Sequence, residues 1–133
     1  MVVGSDGAGE VIQVGDRVTE FKIGDRVATT FYQNHDSGPL TAKAAQSALG
    51  SLKDGAFREY AVIPQRGLVH VPERYSWRQA ASLTCVAVTA WNALFGDRKI
   101  VAGDTVLIQG TGGVSLFALK VGRLPYLSVV SPV

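Results

Sequence analysis

A glycine-rich run at residues 110–115 is the part of this sequence whose residue types and spacing could do chemistry. It follows the β-branched, apolar segment 105–109 and precedes a helical pattern that begins near Val114. Glycines at such a junction let the backbone turn sharply and approach a phosphate, and the helix directs free N–H groups toward it. The run therefore predicts a dinucleotide-binding loop made of Gly110, Thr111, Gly112, Gly113, Val114 and Ser115.

The run departs from the G-x-G-x-x-G fingerprint in two ways. Ser115 stands at the third glycine, although a serine is still small enough for close packing of helix on strand. No Asp or Glu follows Asp104, so the ribose-binding acid expected about 20 residues later is missing. An ordinary glycine turn stays open as the alternative. A P-loop fits poorly, because Lys120 lies too far along the helix to reach a phosphate.

The composition limits the partners of the chain. Its 133 residues are 47% hydrophobic and carry a formal net charge of +2. This balance argues against intrinsic disorder and gives no strong field for nucleic acid or an anionic membrane. A single cysteine, Cys85, excludes an intrachain disulfide and a Cys₄ or Cys₂His₂ zinc site. With no targeting signal at the N-terminus, we expect a cytoplasmic protein that binds neither nucleic acid nor membrane.

The elements that must position the glycine run fall into a β-rich first half and an α/β second half. Gly-Asp-Arg-Val occurs at 15–18 and again at 24–27, a strand-and-turn spacing that indicates a small barrel. Residues 34–52 are predicted to form a long loop with one helical turn. The predicted strands of the first half are 10–14, 25–31, 56–63 and 67–72.

The second half begins with a helix signal. Ser76 and Gln79 form a capping box, and Gly96 supplies the end of a single predicted helix. The strand 105–109 and the helix from Val114 to Lys120 then begin a βαβ unit. Because Gly122 and Pro125 break the pattern after the helix, the sequence predicts no second strand. The apolar positions at helical spacing in the first of these helices are Ala80, Leu83, Ala87, Trp91 and Leu94.

Five ordered motifs resemble the medium-chain dehydrogenase/reductase superfamily, which contains alcohol dehydrogenases and quinone reductases. They are GSDGAGEV at 4–11, FKIGDRV at 21–27, DGAFREY at 54–60, AASL at 80–83 with TAW at 89–91, and the glycine run. The resemblance implies a mixed α/β fold, an incomplete GroES-like β-barrel followed by the first βα unit of a Rossmann domain. The implied organisation is a GroES-like substrate domain over 1–73, a linking helix and Rossmann start over 74–120, and an atypical tail over 121–133.

The resemblance also bears on metal. Members with a catalytic zinc carry a His-Glu pair where this chain has Ser5 and Asp6, and they use a catalytic cysteine. Cys85 is interpreted as a small buried thiol in an apolar helix, and His35 and His70 are not spaced as a ligand set. The chain thus resembles the zinc-independent branch, and we expect no metal site.

The activity implied by the resemblance is hydride transfer between NADP or NAD and an activated C=C or C=O of a small-molecule substrate. NADP is the commoner cofactor among quinone-reductase-like members. The resemblance to the full-length family also allows a homo-oligomer. Thr89 is a candidate cofactor contact, its alternative being a hydrogen bond to its own helix backbone. Phe31 and Tyr32 are either substrate-cleft residues or ordinary packing. No catalytic residue is identified.

The resemblance leaves both ends of the chain incomplete. Family members have strands before Gly4 and further Rossmann strands after Lys120, so we expect a partial form of a longer protein. A parallel strand at 105–109 needs neighbours on both edges, and without them its apolar surface predicts poor solubility or dependence on a partner. The alternative to an oxidoreductase is a catalytically inactive GroES-like fragment or interaction module.

Overall fold

The computed structural model describes residues 1–97, 99–122 and 128–130. The chain divides into two compact units, Met1–Cys85 and Val86–Val133. The domain boundary predicted after residue 73 stays a prediction. Among the described residues, no helix has the length and apolar character needed to cross a bilayer.

A three-stranded antiparallel sheet organises the first unit. Its strands are β1 (Ala8–Glu10), β2 (Arg26–Thr29) and β3 (Leu68–His70), in the order β1-β2-β3. Ala28 of the central strand lies opposite Ala8 on one side and Val69 on the other. Because β1 and β3 do not pair with each other, the sheet is open rather than a closed barrel.

The prediction of a strand at 56–63 is wrong. The amide groups of Ala56 and Phe57 donate to the carbonyls of Gly4 and Val3, at 2.8 and 3.1 Å, and hold only the start of this segment. Residues 59–63 continue without a described strand beside them, and β propensity alone does not form a strand. The strand predicted at 10–14 begins earlier, at Ala8, while those at 25–31 and 67–72 are confirmed in shortened form as β2 and β3.

One helical turn interrupts the long loop at 34–52, as predicted. This turn, α1 (Ala42–Ala45), begins at Thr41, whose hydroxyl accepts the Ala44 N–H at 3.1 Å. Such a side-chain acceptor satisfies one of the free donors at a helix start.

Small residues form the core between the sheet and helix α2 (Trp77–Ala81). Ala28, Val71 and Ala80 make up its buried cluster, against which Tyr75 packs. Arg26 lies across the cluster's edge, with its guanidinium carbon 3.7 Å from the centre of the Trp77 ring. The same guanidinium donates to the Tyr75 carbonyl, so β2 and the start of α2 are joined by polar as well as apolar contacts.

The predicted capping box is confirmed, and the single helix predicted after it is not. The Ser76 hydroxyl accepts the Gln79 N–H at 3.3 Å, and the Gln79 side chain accepts the Ser76 N–H at 2.9 Å. After α2, however, the chain forms a π-helical turn, Leu83–Ala87, before α3 (Val88–Phe95) ends at Gly96. A π turn closes i→i+5 hydrogen bonds, which a 3.6-residue sequence pattern does not distinguish from α-helix.

The second unit contains a strand–helix–strand succession. Strand β4 (Thr105–Leu107) is followed by α4 (Gly113–Gly122), which packs against α3, and by β5 (Ser128–Val130). β5 pairs in parallel with β4, so the expectation that no second strand follows is wrong. Gly122 and Pro125 hid this strand, since they break helical periodicity without preventing a strand farther on. Residues 123–127 and 131–133 of the predicted tail lie outside the described residues.

Replacing Ser76 by alanine should lower the free energy of unfolding by about 1 kcal/mol, because the capped donor at the start of α2 loses its acceptor. Urea unfolding followed by circular dichroism measures the change. Ser51→Ala removes an exposed hydroxyl that caps no helix, and it should leave stability within about 0.5 kcal/mol of the parent. Equal effects of the two substitutions would contradict the capping assignment.

Candidate functional site

The glycine run lies where the sequence predicts it, between a strand and a helix of the second unit. Gly110 has a φ of +82°, a backbone conformation that side chains with a Cβ rarely adopt. The chain bends at Gly110 between β4 and α4. This turn brings the backbone of the following residues to the start of the helix.

Two further glycines of the run have different roles. A Cβ on Gly113 would lie 2.9 Å from Cγ1 of Val86, so the helix packs too closely there for any larger residue without a shift. A Cβ on Gly112 would meet nothing within 4 Å, which leaves open space beside that backbone. Close helix packing, which the fingerprint assigns to its third glycine, is thus a property of Gly113 in this chain.

Ser115 does more than fit a small space. Its hydroxyl donates to the Gln109 carbonyl at 2.9 Å and joins the first turn of α4 to the end of the preceding strand segment. This bond spans residues 110–114 and so links the two ends of the glycine run. The sequence indicated only that a serine is small enough for this position.

The start of α4 offers donors to an anion. The amide of Leu116 donates to the Gly112 carbonyl at 3.0 Å, so the amides of Gly113, Val114 and Ser115 precede the first helical hydrogen bond. These donors and the positive end of the helix dipole suit a phosphate, and the residues at 110–114 are exposed. The open backbone at Gly112 and the free amides fit the pyrophosphate of a dinucleotide.

Thr89 lies in the same unit, exposed on α3. Within the described residues, its hydroxyl makes no hydrogen bond to its own helix or elsewhere. The hydroxyl is therefore available to a ligand, and a role in cofactor binding stays a prediction.

A polar cluster around the Asp6 carboxylate, which the sequence did not indicate, lies in the first unit. The Asp6 carboxylate accepts the Ser5 hydroxyl at 3.0 Å and the Thr84 hydroxyl at 3.4 Å. Thr29 supports the same segment, since its hydroxyl accepts the Gly7 N–H at 3.1 Å. Because Asp6 and Thr84 are 78 residues apart, no local pattern connects them. Only the folding of α2 onto the sheet brings them together.

The residues whose types could bind a metal, His35, His70 and Cys85, lie in different surroundings. His70 packs on the Phe21 ring at 4.6 Å between centroids, and His35 lies at the edge of Tyr32 at 6.2 Å. Cys85 is a half-buried free thiol. Three or more metal-binding side chains do not come together anywhere in the described part of the chain. The absence of zinc nevertheless stays a prediction.

Packing accounts for Phe31 and Tyr32, the aromatic pair whose role the sequence left open. Phe31 and Tyr32 meet edge to face at 4.7 Å, and Tyr32 also contacts His35. A substrate-cleft role for the pair has no further support in these contacts.

The sequence of most of the first unit matches a known protein family. The family model of the alcohol dehydrogenase GroES-like domain matches residues 1–73. The chain belongs to this family. The resemblance to the medium-chain dehydrogenase/reductase superfamily is thereby confirmed.

Curated relatives share the sequence beyond the matched domain. A zinc-type alcohol dehydrogenase-like protein of Schizosaccharomyces pombe is 48% identical over 122 residues, which are 90% of this chain and 35% of the relative. A quinone oxidoreductase of Pseudomonas aeruginosa is 37% identical over 119 residues, or 89% of this chain and 30% of the relative. The chain thus spans about a third of the length of these relatives.

Solved structures agree with this family. A Sinorhizobium meliloti protein described as an alcohol dehydrogenase is 38% identical with a TM-score of 0.90, covering 98% of this chain and 39% of that protein. Two more distant neighbours, each 27% identical, carry ligands. A mycobacterial protein with a TM-score of 0.71 was solved with NADPH, and it is matched over 98% of this chain and 35% of its own. A Pyrobaculum aerophilum alcohol dehydrogenase with a TM-score of 0.82 holds cobalt and zinc, and it is matched over 97% of this chain and 41% of its own.

Substituting Gly113 by alanine should lower the free energy of unfolding by roughly 1–3 kcal/mol, because the new Cβ presses on Val86. Gly112→Ala is the matched control, since its Cβ enters open space, and it should change stability little. The measurement is urea unfolding.

A double-mutant cycle with Val86→Ala isolates the contact. Truncating Val86 makes room for the Cβ, so the two substitutions together should cost less than the sum of the single effects. Simple additivity would contradict the close packing of α4 at Gly113.

Proposed function

We propose that the chain is the NAD(P)-binding and substrate-binding part of an oxidoreductase of the zinc-independent alcohol dehydrogenase or quinone reductase type. The observation that carries the proposal is the loop between β4 and α4, with a positive φ at Gly110, open space at Gly112 and free amides at the start of the helix. Membership of the alcohol dehydrogenase GroES-like family supports the same class.

In this proposal β4, α4 and β5 are the first strand–helix–strand unit of a Rossmann domain. The parallel pairing of β4 with β5 supports it, because parallel strands with an intervening helix are the repeating unit of that fold. The pyrophosphate binds at the amides of Gly113, Val114 and Ser115, and Thr89 contacts the cofactor nearer its nicotinamide end.

The residues of this chain bind and orient, and the cofactor supplies the hydride when bound. The glycine loop fixes one end of the dinucleotide through backbone donors, which need no particular side chain. The substrate class is a small molecule with an activated C=C or C=O. The proposed cofactor is NADP or NAD, and the related structure solved with NADPH supports NADP.

Zinc independence belongs to the same proposal. The hydrogen bonds of Ser5 and Asp6 support it, since Asp6 receives two hydroxyl groups where a ligand pair would stand in zinc-dependent members. The cytoplasmic setting is likewise proposed, supported by one free cysteine in a sequence without a predicted disulfide.

Titration with NADPH, followed by its fluorescence, tests cofactor binding. The parent chain should bind saturably, and Gly112→Asp should lose binding, because a carboxylate would occupy the open backbone position and repel the pyrophosphate. Gly15→Asp places the same side chain in open space in the other unit and should bind like the parent.

Absence of binding by the folded parent at millimolar NADPH would contradict the proposal. That result would favour the alternative, an inactive GroES-like fragment or interaction module. Equal NADPH affinities of the Gly112→Asp and parent chains would show that the glycine loop is not part of the cofactor site.

Zinc independence is tested by metal removal. Dialysis against EDTA should leave the NADPH affinity and the melting temperature unchanged, and elemental analysis of the untreated protein should find much less than one zinc per chain. Loss of stability on chelation, restored by zinc, would contradict this part of the proposal.

A further inference from the structure

The side chain and the main chain of Ser115 have separate partners. Its hydroxyl donates to the Gln109 carbonyl at 2.9 Å, across residues 110–114. A hydroxyl has one proton to donate, and Ser115 uses it on its own backbone. The amide of the same residue precedes the first helical hydrogen bond of α4 and stays available to an anion.

A side chain at position 115 is possible because another residue provides the close packing. In the G-x-G-x-x-G fingerprint the third glycine lets the helix pack closely. Here a Cβ on Gly113 would lie 2.9 Å from Cγ1 of Val86, so the close approach falls at Gly113. Position 115 therefore has no need of a glycine, and its hydroxyl can serve a different purpose.

The backbone between β4 and α4 has much conformational freedom. Residues 108–112 belong to neither strand nor helix, and three of residues 110–113 are glycines. Glycine loses more backbone entropy on ordering than any other residue. When only a fraction of the chains is in the binding conformation, the apparent affinity for a ligand falls to that fraction of its intrinsic value. A bond that spans the run in the free chain raises the fraction.

Two hydrogen bonds join this stretch to α4 within the described residues. The Leu116 amide donates to the Gly112 carbonyl at 3.0 Å, and this bond needs no particular side chain. The bond from the Ser115 hydroxyl depends on a side chain and reaches past Gly110, the residue with the positive φ. It therefore encloses the whole flexible part of the run.

We propose that Ser115 is a positioning residue for the cofactor, whose hydroxyl holds the glycine run in its binding conformation before the dinucleotide arrives. The inference rests on the proposed NAD(P) site. The Ser115 amide meets the pyrophosphate, and the Ser115 side chain acts on the cofactor only through the Gln109 carbonyl.

NADPH titration of three variants at this position tests the role of the hydroxyl. Ser115→Ala removes the hydrogen bond and should raise the dissociation constant roughly 2- to 10-fold, the effect of one such bond. Ser115→Gly restores the residue of the fingerprint, and it should weaken binding at least as much because glycine adds backbone freedom. Ser115→Thr keeps the hydroxyl and should bind like the parent.

The association rate separates positioning from a general loss of stability. If the run is ordered before the cofactor binds, Ser115→Ala should lower the association rate constant by the same factor as the affinity and leave the dissociation rate unchanged. Ser76→Ala is the matched control, because it also removes a serine hydroxyl that bonds to the backbone, but in the other unit. It should leave both rates unchanged. Stopped-flow fluorescence of NADPH measures them.

NMR relaxation of the backbone amides without NADPH gives a measurement that does not depend on cofactor binding. The order parameters of residues 110–114 should fall in Ser115→Ala and Ser115→Gly, because motion of the run on the picosecond to nanosecond timescale increases when the bond is lost. They should keep the parent values in Ser115→Thr.

A folded parent chain that does not bind NADPH would overturn the proposed function, and this inference with it. A parent that binds, together with a Ser115→Ala variant of equal affinity or unchanged order parameters, would overturn the positioning role alone. The positioning role would also fail if Ser115→Thr did not restore affinity, or if faster dissociation accounted for the whole loss, since the side chain would then contact the cofactor directly.

Discussion

The close approach of α2 to the sheet is the constraint on which the first unit depends. Ala28 and Ala80 are 1% and 0% exposed, and a larger side chain at either position would separate helix from strand. This approach carries the chain after α2 to the segment before β1, so that the Thr84 hydroxyl reaches the Asp6 carboxylate. The buried cluster of Ala28, Val71 and Ala80 thus forms the core beside which the Asp6 carboxylate and the Thr84 hydroxyl meet.

Close packing in the second unit likewise depends on a small residue. Gly113 lets α4 lie against Val86, and the Ser115 hydroxyl holds the first turn of the helix to the Gln109 carbonyl. Gly113 packs closely while the space beside the Gly112 backbone stays open, and the amides of residues 113–115 precede the first helical hydrogen bond. The absence of side-chain atoms therefore serves both stability and the candidate phosphate site.

Much of the fold was predictable wherever the signal is local. The capping box at Ser76 and Gln79, the turn of helix in the loop 34–52 and the strand–glycine–helix junction each depend on residues a few positions apart. The strand predicted at 56–63 failed because pairing needs a neighbour that its own residues do not specify. The strand β5 was missed for the converse reason, since its partner β4 lies more than 20 residues earlier.

The sequence by itself determined the family, the glycine run and the capping box at Ser76, because these depend on residue types at short spacing. Only the tertiary structure decided that Gly113 packs against Val86, that Asp6 meets Thr84 and that residues 59–63 lie unpaired beside a cleft. Each of these depends on which distant segments the fold brings within a few ångströms. Hydrogen bonds and close packing act over that distance and not along the chain.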